Sequence, residues 1–111
     1  MRRGEVRWYT FETPDKRRPV LILTRSSAIP YLTSVTVAPI TSTIRDIPSE
    51  IALSPEEDGV LATCAANLDN VQTVAKHKIG RLVTTLSRER MHQTDRALCF
   101  ALGVDTLYLI P

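Results

Sequence analysis

The 111-residue chain lacks an apolar run approaching the ~20 residues that a membrane-crossing helix needs. Its start, Met1-Arg2-Arg3-Gly4-Glu5-Val6, is basic but has no apolar stretch behind it of the kind a secretion signal carries, so a cytoplasmic location is expected. Only two cysteines occur, Cys64 and Cys99, far apart, each among small or apolar neighbours and with no Cys or His at metal-ligand spacing. They are expected as buried free thiols, not as a disulfide or a catalytic pair. No cluster of acids or of His and Cys has ligand spacing, so no metal or other cofactor is expected. Internal repeats, low-complexity segments and linkers are also missing, and the length suits a single domain over 1–111.

The chain has a hydrophobic content of 43%, enough for a real core and too high for a disordered chain. The net charge of +2 is unevenly spread. Residues 1–25 hold seven basic groups (Arg2, Arg3, Arg7, Lys16, Arg17, Arg18, Arg25) against three acids, which leaves that segment at +4 and the remainder at −2. A basic segment of this kind suits a phosphate-bearing or acidic partner, although an ordinary solvated surface reads the same way.

The stretch Arg17-Arg18-Pro19-Val20-Leu21-Ile22-Leu23 stands out. Val20 to Leu23 has no polar interruption and predicts a strand buried on both faces. Pro19 cannot donate to a ladder, so full pairing is expected only after it. Arg18, at the mouth of a rigid strand, is then a guanidinium held in place for an anion. A second run, Val35 to Ile40, ends in Thr41-Ser42-Thr43, and pairing of the two strands would bring these hydroxyls near Arg18.

Elsewhere, Glu5 to Phe11 alternates with period two and predicts a strand, with Trp8 read as core packing and base stacking as its minority reading. Glu12 to Arg17 is a polar hairpin loop. Residues 26–31 are a loop or one helical turn, and Thr33 to Ile40 is the third strand. Glu50 to Leu53, Val60 to Ala66, Val71 to Ala75 and Ile79 to Leu82 are further short strands. Glu56-Glu57-Asp58 reads as the solvated tip of a turn. Ser87 to Gly103 changes to helical period, with Ser87 as N-cap, Gly103 as terminator and Met91, Thr94, Leu98, Ala101 and Leu102 on one face. The sum is a mainly β (α+β) fold, a small antiparallel barrel with a packed C-terminal helix.

Gly4-Glu5-Val6, Arg18-Pro19-Val20-Leu21-Ile22-Leu23, Pro39-Ile40-Thr41-Ser42, Leu68-Asp69-Asn70-Val71-Gln72-Thr73-Val74 and a capped C-terminal helix follow one another in this order. The ordered set, spanning roughly Gly4 to Leu102, resembles the MazF/PemK/Kid family of toxin endoribonucleases. The resemblance implies an SH3-like barrel acting as a homodimer, single-stranded RNA as substrate, cleavage without a metal, and neutralisation by a cognate antitoxin with an acidic, disordered segment. It places the family's catalytic arginine on Arg18 and its hydroxyl on Thr41. RNA contacts are expected from Lys16, Arg17, Arg25 and Ser42, and base reading from Asp69, Asn70 and Gln72. The Glu12 to Arg17 loop is shorter than in relatives and holds no His, so neither a base preference nor a histidine base carries over. Two other functions stay open on sequence grounds: a non-enzymatic toxin of the same fold acting on DNA gyrase, and an RNA-binding barrel whose catalytic site has decayed.

Overall fold

The structure, a computed structural model, describes residues 1–12 and 16–105. Seven strands form one strongly curled antiparallel sheet among these residues: β1 (Glu5–Phe11), β2 (Lys16–Ile22), β3 (Ser34–Thr41), β4 (Glu50–Leu53), β5 (Cys64–Asn67), β6 (Gln72–Ala75) and β7 (Leu82–Thr85). Two helices complete it, the one-turn α1 (Pro55–Asp58) and the C-terminal α2 (Arg88–Leu102). Strand order is β4-β5-β3-β2-β1-β7, with β6 pairing β3 off this path. The result is a half-barrel closed on one side by α2. None of the described helices is long and apolar enough to cross a membrane.

β2 behaves as its composition dictates. Leu21 and Leu23 join the core that α2 covers, with Val6, Ala38, Ile40, Leu53, Leu68, Leu86 and Ala97. Val20 and Ile22 enter a second core on the opposite face, with Ile29, Val35, Val37 and Val74. Both faces are therefore dry. Leu21 and Ile22 are fully buried, each stabilising the fold by about 2 kcal/mol. Pairing to β1 runs from Lys16 to Leu21, but pairing to β3 begins only at Val20, so the ladder is complete on both sides just past Pro19. β3 serves two partners on its other edge, β6 through Ser34–Val37 and β5 through Ile40 and Thr41. Pro39, with no N–H to donate, sits at this changeover.

The helix has the caps its sequence announces. Ser87 Oγ accepts from the Arg90 N–H at 3.1 Å, and Gly103 ends the helix at φ 72°, where a Cβ would be strained. Thr94 and Ala97 are buried under it, and Met91, Leu98 and Ala101 pack on the core. Leu102, expected on this face, is instead exposed.

Three other expectations need correction. The strand expected over Val60 to Ala66 forms only at Cys64–Asn67. Gly59 takes φ 73° and turns the chain, so that Val60 enters the core while residues 61–63 are exposed, Leu61 by 71%. The strand expected at Ile79 to Leu82 lies at Leu82–Thr85. Residues Lys76–Lys78 form a 3-10 turn first, anchored by Lys76 N to Thr33 O at 2.8 Å and Lys76 Nζ to Ile29 O at 2.9 Å. Finally, Glu56-Glu57-Asp58 is a solvated tip only at Glu56 and Glu57, which are exposed. Asp58 is buried and clasped by Arg90, as described below. Cys64 is a buried free thiol as expected, and Cys99 is a free, half-buried one. Of the hairpin loop expected over Glu12 to Arg17, Lys16 and Arg17 instead open strand β2 and pair with β1, while residues 13–15 and the tail from Leu107 lie outside the described residues.

Candidate active site

A cavity of about 400 Å³ opens where β1, β2, β3 and the 60–64 segment converge. Its wall holds Trp8, Arg17, Arg18, Thr41, Ser42 and Cys64 among others. The sheet explains the meeting. The β2–β3 register pairs Val20 with Pro39 and Leu21 with Ala38. The same register continued to the strand ends sets Thr41 across from Arg18. The two residues that sequence reasoning nominated for catalysis therefore share one end of one strand pair, which is also where Ser42 and Thr43 follow.

The Arg18 side chain has no hydrogen-bond or ion-pair partner among the described residues, and the residue is exposed. Its five N–H donors are unspent, the condition under which a guanidinium can fork onto a phosphate. The hydroxyl of Thr41 is oriented from behind. Its Oγ1 accepts from the Thr43 N–H at 3.1 Å, which leaves its own proton free to donate outward. Arg17 lies over Trp8, with the guanidinium carbon 4.3 Å from the ring centroid. Among the described residues lining the cavity there is neither a carboxylate nor an imidazole. Its one thiol, Cys64, is pushed up from its ordinary pKa by burial and secondarily by the negative charge of Asp58, so it stays protonated and unreactive at neutral pH. The cavity thus offers donors and positive charge rather than a base. Among the described residues no group of three or more His, Cys, Asp or Glu could hold a metal ion.

The remaining nominated residues lie elsewhere. Lys16 opens β2 opposite Phe11. Arg25 is exposed in the turn after β2, away from the cavity end, its carbonyl accepting from Ala28 and Ile29. Asp69 is exposed in the 3-10 turn Leu68–Asn70, where its carboxylate accepts from Ser49 Oγ and its N–H donates to Asn67 Oδ1 at 2.9 Å. Asn70 is exposed beside it. Gln72, on β6 opposite Val37, lines a separate groove of about 390 Å³ with Tyr9, Phe11 and Lys78. The basic N-terminal segment is also less free than its charge suggests. Arg3 is bound to Asp95 at 2.7 Å and Leu23 O at 2.8 Å, and Arg7 to Glu5 at 2.7 Å and Gly80 O at 3.0 Å.

Sequence reasoning missed Cys64 as a wall residue and favoured core packing over base stacking for Trp8. Trp8 had a readable signal: it stands in the middle of β1 in phase with Val6, and so on the same face of the strand, where both line the cavity. Cys64 had none, because its place depends on the turn at Gly59.

The family model for the PemK-like, MazF-like toxin of type II toxin–antitoxin systems matches residues 2–102. The chain is similar to the probable endoribonuclease MazF5 of Mycobacterium tuberculosis, with 41% identity over 102 residues that make up 92% of this chain and 89% of that protein. Among solved structures it is similar to the Mycobacterium tuberculosis toxin MazF-mt6, with a TM-score of 0.82 and 34% identity over 91% of this chain and 98% of that one. It is also similar to a mycobacterial endoribonuclease in complex with its cognate antitoxin, with a TM-score of 0.82 and 26% identity over 95% and 97% of the two chains. With a fold, a strand-end arginine and hydroxyl, and a sequence match over nearly its whole length in agreement, the chain belongs to the PemK-like, MazF-like toxin family of type II toxin–antitoxin systems.

Proposed function

We propose that the chain is the toxin of a type II toxin–antitoxin system, an endoribonuclease that cuts single-stranded RNA and so arrests translation and growth. The observation that carries this reading is the meeting of an unpartnered Arg18 with Thr41 at one cavity that also holds Arg17 and Ser42. Such a site suits the reaction in which a ribose 2′-hydroxyl attacks its own 3′-phosphate. The 2′-O–P bond forms as the 2′-hydroxyl gives its proton to solvent water, since the described cavity lining holds neither a carboxylate nor an imidazole, and the P–O5′ bond breaks as the leaving 5′-oxygen takes a proton back from solvent water. The products are a 2′,3′-cyclic phosphate and a 5′-hydroxyl.

Negative charge builds on the phosphoryl oxygens in the five-coordinate transition state. Arg18 stays protonated throughout and acts as a forked donor to those oxygens, not as a base. Thr41 adds a further hydrogen bond. Both contacts strengthen as charge accumulates, which is what accelerates the step. Lys16, Arg17, Arg25 and Ser42 are assigned to the RNA backbone and Asp69, Asn70 and Gln72 to the bases. The Ser49 and Asn67 contacts that fix Asp69 support a pre-organised reader there.

The wider reading includes a single toxin domain over 1–111, a homodimer, a cytoplasmic location and a cognate antitoxin whose acidic segment folds onto the site. The complex of a related endoribonuclease with its antitoxin supports the last of these. The test is to incubate the purified protein with a long RNA in EDTA and map the new ends. Cyclic phosphate and 5′-hydroxyl ends at repeated short sequences are the expected result. Activity lost in EDTA and restored by magnesium would overturn the proposed chemistry.

A further inference from the structure

We infer that the Arg17–Trp8 stack is a subsite for the nucleobase flanking the scissile phosphate, with the base lying on the outer face of the Arg17 guanidinium. The inference rests on the RNA-cleaving reading above and names a contact that the reading leaves out. Trp8 is the chain's single tryptophan, and it is half-buried at the cavity wall. Thr10 of β1 pairs with Arg17 and Trp8 with Pro19, so Arg17 and Trp8 are diagonal cross-strand neighbours on one face of the β1–β2 ribbon. The guanidinium carbon sits 4.3 Å from the ring centroid, so the indole covers one flat side of Arg17. Arg17 is exposed and makes no hydrogen bond or ion pair among the described residues, which leaves its other flat side open to the cavity.

A guanidinium held flat by an aromatic ring is a ready platform for a base. Unstacked bases of single-stranded RNA stack on arginine planes as they do on aromatic rings. The position also fits. Arg17 and Arg18 leave opposite faces of β2 as successive strand residues, but both line the one cavity at the strand's start, so a base on the first and a phosphate at the second lie around a single strand end. Every base has a π-face, so this contact is tolerant of sequence. It would fix where the strand is cut relative to the cavity, while choice of sequence comes from elsewhere. Arg17 then has two separable roles, a charge that any cation could supply and a plane that only arginine supplies.

The experiment is a binding cycle that does not depend on cleavage. The cut site is mapped first. An oligonucleotide spanning it, 2′-O-methylated at the attacking ribose so that it binds uncut, is then compared with versions that are abasic at each position in turn. For the parent protein, one abasic position beside the scissile phosphate should weaken binding on the order of tenfold. In Arg17→Ala that abasic penalty should vanish. In Arg17→Lys it should also vanish, while the salt dependence of binding stays at the parent slope because the charge is kept. Trp8→Phe, which retains a ring under Arg17, should keep most of the penalty. An abasic penalty that persists in full in both Arg17 variants would overturn the stacking subsite while leaving the ribonuclease reading intact. Failure of the parent protein to bind or cut RNA would overturn both.

Discussion

Arg18 and Arg90 are the same side chain in opposite circumstances. Arg90 donates from Nε to Asp58 Oδ1 at 2.9 Å, from Nη2 to Asp58 Oδ2 at 3.3 Å and Glu57 Oε2 at 3.1 Å, and from Nη1 to Gln93 Oε1 at 3.0 Å. The hydrogen bond to Asp58 above all, reinforced by the charges of Asp58 and Glu57, raises its pKa further from an already high value, against the opposing effect of burial. Asp58 in turn accepts from Ser54 N, and its carbonyl accepts from Thr84 Oγ1. This cluster ties α1 to α2 and to β7. Arg18 has no such partner among the described residues. The difference shows that an arginine whose donors are taken up by buried acceptors is part of the scaffold, and one left with open donors at a cavity is available to an anion.

The contrast can be broken most forcefully at Arg90. Replacing it in Arg90→Met leaves the Asp58 carboxylate, with a side chain 3% exposed, buried without its cation. Stability should fall by about 3–5 kcal/mol, read from urea unfolding midpoints. Adding Asp58→Asn should recover a substantial part of this loss. A single Arg90 variant as stable as the parent would mean the cluster is not the scaffold described.

A smaller effect is expected at Thr41. Thr41→Val keeps the shape and removes the hydroxyl, so single-turnover cleavage should slow by about a hundredfold. Thr43 N loses an exposed acceptor, and stability should change by less than about 0.5 kcal/mol. An unchanged cleavage rate would remove Thr41 from the proposed site.

The smallest expected effect concerns Glu5. Burial alone would raise its carboxyl pKa, but the Arg7 side chain, the Arg2 backbone and nearby positive charge outweigh that and hold it below 4.5. A pKa depressed in the folded state means that the stabilisation is present above the unfolded value and is lost as pH falls through the folded one. Glu5→Gln should therefore cost slight stability at neutral pH, and the difference from the parent should close as acid protonates the folded-state carboxyl, measured by unfolding as a function of pH. A difference that widened with acid would contradict the ion pair's sign.

Much of the scaffold around Arg18 was legible because local signals and tertiary demands agree there. The unbroken Val20 to Leu23 run could only be satisfied by two cores, and both exist. Ser87 and Gly103 bracket the helix at the places their chemistry prefers. Arg17, Arg18, Thr41 and Ser42 line one cavity because β2 and β3 pair, the condition that the sequence reading sets for them to meet. The misread parts are those where one distant contact decides. Val60 to Ala66 looks like a strand, but Gly59 turns the chain and a Cβ there would come within 2.8 Å of Thr84 Oγ1, a neighbour that no local pattern reveals. Asp58 looks solvated among three acids until α2 places Arg90 over it, 32 residues later in sequence. Leu61, inside the strand expected over Val60 to Ala66, is exposed and lines the cavity.

The most direct test of the central claim places the two arginines side by side in one assay. Arg18→Ala and Arg90→Met are each measured for unfolding in urea and for single-turnover cleavage of a defined oligonucleotide at saturating concentration, under conditions where both remain folded. The account predicts that Arg18→Ala keeps its stability within about 0.5 kcal/mol and loses about a hundredfold or more in rate, with little recovered by Arg18→Lys. Arg90→Met should show the reverse, a large loss of stability and a parent-like rate. Parent-rate cleavage by saturated Arg18→Ala would contradict the account and reduce Arg18 to a phosphate clamp.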